Sequence, residues 1–207
     1  MTTDRRVDYI LQNAVRLITV ATRCAWSFGA ADGLSDALQA PTDQHGDWRQ
    51  PVSVLHRDAL LMAALRVALL LDADVNVVSF QTVFHDLKQP DVQAALLQQL
   101  EANRGPDVFK PTRANLIAEY LATYRAIDWK VHGRLTHFRN LGIAHLTLGE
   151  LKKSVTIAEL RTLVGIVTHL AGNLQHLVGT HLAFHDSMAD ECRDQVVRLV
   201  AKVRSQP

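Results

Sequence analysis

Apolar residues recur at spacings of three and four along nearly the whole chain. Val7, Ile10, Leu11, Ala14, Leu17, Ile18 and Ala21 make the first such stripe, and that period belongs to one face of a helix. The pattern predicts a first helix over about 5–29, fading at Gly29. A loop is expected over about 30–50, where Gly33, Pro41, Gly46 and Pro51 gather with Asp32, Asp36, Asp43 and Asp47. A loop of that length is uncommon inside a compact domain and points to mobility. Ser53 reads as the N-cap of a second helix running to about Asp72, and Asp74 or Asn76 as the cap of a short one ending near Leu87. Pro90 suits the first turn of a fourth helix that ends near Asn103.

The longest periodic segment follows Thr112. Leu116, Ile117, Tyr120, Leu121, Tyr124, Ile127, Val131, Leu135 and Phe138 share one broad face, and the pattern predicts a continuous helix over 112–145. Thr156 and Glu159 stand at the spacing of a capping box before the stripe Leu160, Leu163, Val164, Val167, Leu170, Leu174 and Leu177. A last helix is expected over about 188–203. Nothing alternates with period two over a useful length; residues 75–80 are the nearest approach to a strand. The expectation is a single all-α domain over 1–207, with a four-helix up-and-down bundle core and extra short helices. The core helices would be 5–29, 54–72, 112–145 and 157–185.

Composition narrows the functional classes. The 207 residues are 48% apolar and 21% charged, a globular balance. The two cysteines, Cys24 and Cys192, exclude a disulfide framework and a cysteine-based zinc site, and read as reduced thiols of a cytoplasmic protein. No apolar run reaches the ~20 residues of a membrane span, and no membrane association is expected. With 22 Lys+Arg against 21 Asp+Glu, the net charge is +1, so bulk attraction to nucleic acid is not the operating principle. The charge is uneven, however. Segment 110–153 carries eight basic and three acidic residues, a balance of +5, which leaves the rest of the chain at −4. A local positive field is what a phosphate-bearing ligand needs; a solvated helix face has the same composition.

Within that segment lies WKVHGRLTHFRNLGIAH, residues 129–145. Arg139-Asn140-Leu-Gly-Ile-Ala-His145 resembles the arginine–polar–histidine signature of the HEPN superfamily, and Ala144 before the histidine is similar to its abortive-infection branch. The run over 57–87, with Leu71-Asp72 and Ser79, looks like the preceding helices of that branch. The resemblance covers most of residues 50–180. It implies a metal-independent endoribonuclease, a hydrolase acting as a toxin or phage-defence effector. Arg139, Asn140 and His145 would be catalytic, with RNA as substrate and no cofactor. Cleavage would leave a 2′,3′-cyclic phosphate and a 5′-hydroxyl. A homodimer with facing motifs and a separate nucleotidyltransferase-type antitoxin are also implied. Arg134, His137 and Lys130 are the expected RNA-binding residues, with His132 a further helper.

The residues themselves leave alternatives open. On an ideal helix Arg139 and His145 stand about 120° and ~9 Å apart, not on one narrow face. His145 shares a stripe with Phe138 and Leu141 and also reads as a core histidine. Arg139 also reads as one half of an ion pair with an acidic neighbour. A non-catalytic helical dimer holding RNA or a protein would use the same basic face. Ten histidines, His181 and His185 among them at i, i+4, raise a histidine-rich metal-binding bundle as a further possibility. Three or four convergent ligands are not evident there, and no metal site is assigned.

Overall fold

A computed structural model describes residues 1–39, 48–74, 77–107, 111–140, 155–180 and 187–204. The fold is all-α: the described residues form eight helices and no strand. These are α1 (Thr3–Gln39), α2 (Arg49–Leu70), α3 (Phe80–Leu87), α4 (Pro90–Arg104), α5 (Arg113–Arg125), α6 (Trp129–Phe138), α7 (Ile157–Val178) and α8 (Met188–Arg204). The core is built on α1, which packs against α2, α8 and α7 and also touches α3 and α4; α5 lies against α7, and α6 leans on α2. Ile10, Ala14, Ile18 and Ala21 of α1 are fully buried, as are Val167, Leu170 and Leu174 of α7. Both stripes are those of the sequence pattern. No described helix is long and apolar enough to cross a membrane.

Several helix ends are where local chemistry puts them. Thr112 accepts the Asn115 N–H at 3.3 Å and starts α5. Thr156 and Glu159 close the capping box of α7, and Pro90 opens α4. Gly179 ends α7 in the left-handed region at φ 61°, where a side chain would be strained. The cap of α3 is Ser79, which accepts from the Thr82 amide, rather than Asp74 or Asn76.

Three further expectations are overturned. The first helix does not fade at Gly29 but runs on to Gln39, so 30–39 of the expected loop is helical; residues 40–47 lie outside the described residues. Gly29 is there because α8 crosses at that point. A Cβ on it would collide with the Ala189 carbonyl, and one on Gly33 would stand 2.6 Å from the Arg193 carbonyl. The acidic residues read as turn formers instead tie α1 to its neighbours. Arg161 of α7 donates to Asp32 at 2.9 Å and Arg193 of α8 to Asp36 at 2.8 Å. Second, α2 begins at Arg49, not after Ser53, with Pro51 in its first turn and no side-chain cap from Trp48. Third, segment 112–145 is not one helix. It breaks at Ala126–Asp128, where Asp128 takes the Lys130 and Val131 amides at 2.9 and 3.2 Å and starts α6 afresh.

Candidate functional site

The C-terminal ends of α2 and α6 meet, and the residues of the expected motif begin there. Asp72 follows the last turn of α2. Its Oδ1 accepts the Asp74 N–H at 3.0 Å, which turns the chain as the helix ends. Its Oδ2 accepts from Arg139 Nη1 at 2.8 Å, a contact across 67 residues of sequence. Arg139 therefore has the acidic neighbour foreseen as the alternative to catalysis. Its Nε donates to Asn140 Oδ1 at 2.9 Å. Two of five guanidinium donors are thus engaged, and among the described residues Nη2 has no partner. The helix widens to a π-type turn at Arg139 and Asn140, a distortion frequent at functional sites.

His132 completes the cluster. It lies seven residues before Arg139, about two turns down the same face of α6. Its side chain is 7% exposed, and its Nε2 is buried without a hydrogen-bond partner among the described residues. Trp129 sets its ring edge-on to the imidazole at 5.2 Å, with Tyr124 beyond it at 5.4 Å. Burial lowers the pKa of His132, Asp72 draws it up and Arg139 pushes it down; the net shift is downward, which favours a neutral ring. Burial raises the Asp72 carboxyl. The Arg139 and Asp74 hydrogen bonds and the charges of Arg139 and His132 outweigh it and hold the group below the usual carboxylate value. The arrangement is an oriented guanidinium beside a neutral, partly unsatisfied imidazole.

The expected RNA-binding residues do not join it. Lys130, Arg134 and His137 are spaced by four and three along one face of α6, about 180° from Arg139. Arg134 is ion-paired with Glu159, the carboxylate of the α7 capping box. Lys130 is exposed on the first turn, and His137 is half-buried without a hydrogen bond among the described residues. His145 lies outside the described residues, as do Ala144, Lys110, Lys152, Lys153, His181 and His185. Among the described residues no group of three or more His, Cys, Asp or Glu side chains is placed to hold a metal ion.

One contributor was only partly visible in sequence: Asp72 carried the signal of a helix end and a place in the family resemblance, but nothing in the pattern paired it with Arg139. Beside Asp72, with Leu69 and Val77, Arg16 of α1 lines a recess of about 360 Å³. Compared with known protein families, curated proteins and solved structures, the chain finds no match.

Proposed function

We propose that this protein is a metal-independent endoribonuclease of the HEPN type, a toxin or phage-defence effector that acts as a homodimer and is restrained by a separate nucleotidyltransferase-type antitoxin. The observation that carries the reading is the held arginine. Asp72 and Asn140 fix Arg139 through Nη1 and Nε, and among the described residues nothing occupies the Nη2 that would meet a phosphate oxygen. His145 follows six residues later in sequence.

In this scheme His145 takes the proton of a ribose 2′-hydroxyl, and that oxygen attacks the adjacent phosphorus. Arg139 stabilises the charge gathering on the phosphoryl oxygens. As the P–O5′ bond breaks, the 5′-oxygen takes a proton from water and His145 returns its proton to solvent, leaving a 2′,3′-cyclic phosphate and a 5′-hydroxyl. The test is cleavage of total RNA in EDTA. The Arg139→Ala and His145→Ala variants should each lose about 10²–10⁴-fold in rate while the helical circular dichroism is kept. Undiminished cleavage by His145→Ala refutes the assignment.

One observation favours a second reading, a non-catalytic helical dimer that holds RNA or a protein. Asp72 and Glu159 already balance the charges of Arg139 and Arg134, which suits structural pairing more than catalysis. That reading predicts RNA binding that weakens steeply with salt and yields no 2′,3′-cyclic ends.

A further inference from the structure

The recess beside the Asp72–Arg139 pair is mostly apolar, with one charge of each sign among its lining residues. Arg16, Leu17 and Val20 line it from α1; Leu69, Asp72 and Val77 line it from the end of α2 and the stretch that follows. Its volume of about 360 Å³ is at the small end of ligand sites, which run from about 300 to 1,000 Å³. It suits one ring system rather than a longer segment. The Val77 side is pinned in place: the Val77 carbonyl accepts the Tyr9 hydroxyl of α1 at 3.2 Å and Thr82 Oγ1 of α3 at 3.1 Å. The recess therefore does not wait on a ligand to form.

The charges identify the occupant. Arg16 is exposed and, among the described residues, has no hydrogen bond or ion pair, so its forked donors are open. Asp72 accepts one hydrogen bond at each oxygen, from Asp74 and from Arg139, and a carboxylate has about four lone-pair sites, so it can accept more. A fitting ligand has a flat apolar body, paired acceptors for a guanidinium and donors for a carboxylate. Guanine has all three. Its O6 and N7 accept together from an arginine, and N1–H and the N2 amino group on the adjoining edge donate. Adenine puts a donor where O6 stands and an acceptor at N1, so it meets each charge with the wrong group. Asp72 both lines the recess and holds Arg139. A phosphate on Arg139 and a base in the recess would lie on either side of one carboxylate, and a ribose is what joins a phosphate to a base.

We propose that this recess is a base subsite that takes guanine from a nucleotide whose phosphate Arg139 holds. The inference deepens the RNA-cleaving reading and rests on it for the phosphate at Arg139. Leu17, Val20, Leu69 and Val77 cover the faces of the base, as apolar side chains do for bases drawn out of a stack. Arg16 and Asp72 read its edges. A base held on both edges is unpaired, so the substrate class is single-stranded RNA with a guanosine beside the cut.

The full chain should be titrated calorimetrically with the 3′-monophosphates of guanosine, adenosine and uridine. Guanosine should bind tightest, by roughly 10-fold. Arg16→Ala and Arg16→Lys should both lose that margin, since lysine keeps the charge but not the fork; Arg16 is exposed, and circular dichroism checks that both variants fold. Arg139→Ala should weaken all three nucleotides alike. Where RNA is cut, mapping of the 5′-hydroxyl ends should place guanosine beside the cuts of the wild type, and Arg16→Ala should cut without that preference. No binding, equal affinity for the three, or a margin that survives in Arg16→Ala overturns the subsite. Cleavage with no guanosine preference also overturns it and leaves the nuclease reading standing. Guanosine-selective binding by a chain that cuts no RNA does the reverse, upholding the subsite and sinking the nuclease reading.

Discussion

Two helix contacts, α1 with α8 and α2 with α6, join a core helix to a later one by opposite means. Against α8, α1 offers Gly29 and Gly33, and the backbones come close because nothing projects between them. At the end of α2, the contact is carried by groups that project, the Asp72 carboxylate and the Arg139 guanidinium. The first depends on shape at the two glycines, with the Arg193–Asp36 ion pair beside them. The second depends on charge, sits about three-quarters buried, and answers to pH. Close packing fixes a geometry and leaves no chemistry; a polar contact keeps donors and acceptors that a ligand can use.

Three substitutions separate the contacts. Gly29→Val should be the most damaging, because its side chain would have to displace the Ala189 backbone. A loss of roughly 3 kcal/mol or more is expected, equal at pH 4 and pH 8, read from urea unfolding. A marked pH dependence of that loss would show that the substitution also breaks the neighbouring Arg193–Asp36 ion pair. Asp72→Asn should cost about 1 kcal/mol at pH 7, given its partial exposure. Because the folded pKa of Asp72 is lowered, its contribution is present above the unfolded value of about 3.9 and is lost as pH falls through the folded value. The gap between wild type and variant should therefore close below pH 4; a gap unchanged down to pH 2 would mean that the ion pair does not stabilise the fold. The smallest effect belongs to His132→Phe. The folded pKa of His132 is also lowered, so its neutral form stabilises above an unfolded value of about 6.5, and that contribution is lost as the pH falls through the folded value. The variant should melt slightly above wild type at pH 5 and nearer to it at pH 8. The reverse order would place a hydrogen-bonded, charged ring there.

What was legible in the sequence is what is local. Thr112, Thr156 with Glu159, and Pro90 each act on amides or dihedrals within a few residues, so their helices begin where the pattern says. Gly29 and Gly33 were misleading because their purpose lies about 160 residues away in α8. Read locally, glycine is a breaker; read against α8, it is clearance. Asp32 and Asp36 read locally as turn formers for the same reason, since their partners Arg161 and Arg193 are remote. The break before α6 was available, as Asp128 is a good N-cap, but the apolar stripe passes across it from Tyr124 through Ile127 to Val131 and hides it. For the candidate site, the motif named Arg139 and Asn140, while Asp72 comes from a distant segment. Lys130, Arg134 and His137 were grouped with Arg139 by proximity in sequence, and the turn of α6 sends them to the opposite side.

The reach of α1 also has a consequence in time. It is the first of these eight helices to leave the ribosome, and its buried stripe is covered by α7 and α8, which close over it last. The roughly 150 residues between Gln39 and Met188 take about 8–30 s to synthesise at ~5–20 residues per second. Throughout that interval α2 can cover one side of α1, but the glycine side has no cover. The contacts of α1 with α7 and α8 join segments far apart in sequence, and such contacts slow folding relative to a helical protein built from neighbouring pairs alone. A nascent chain stalled before Met188 would present Gly29, Gly33 and their apolar neighbours to whatever binds exposed helices in the cell.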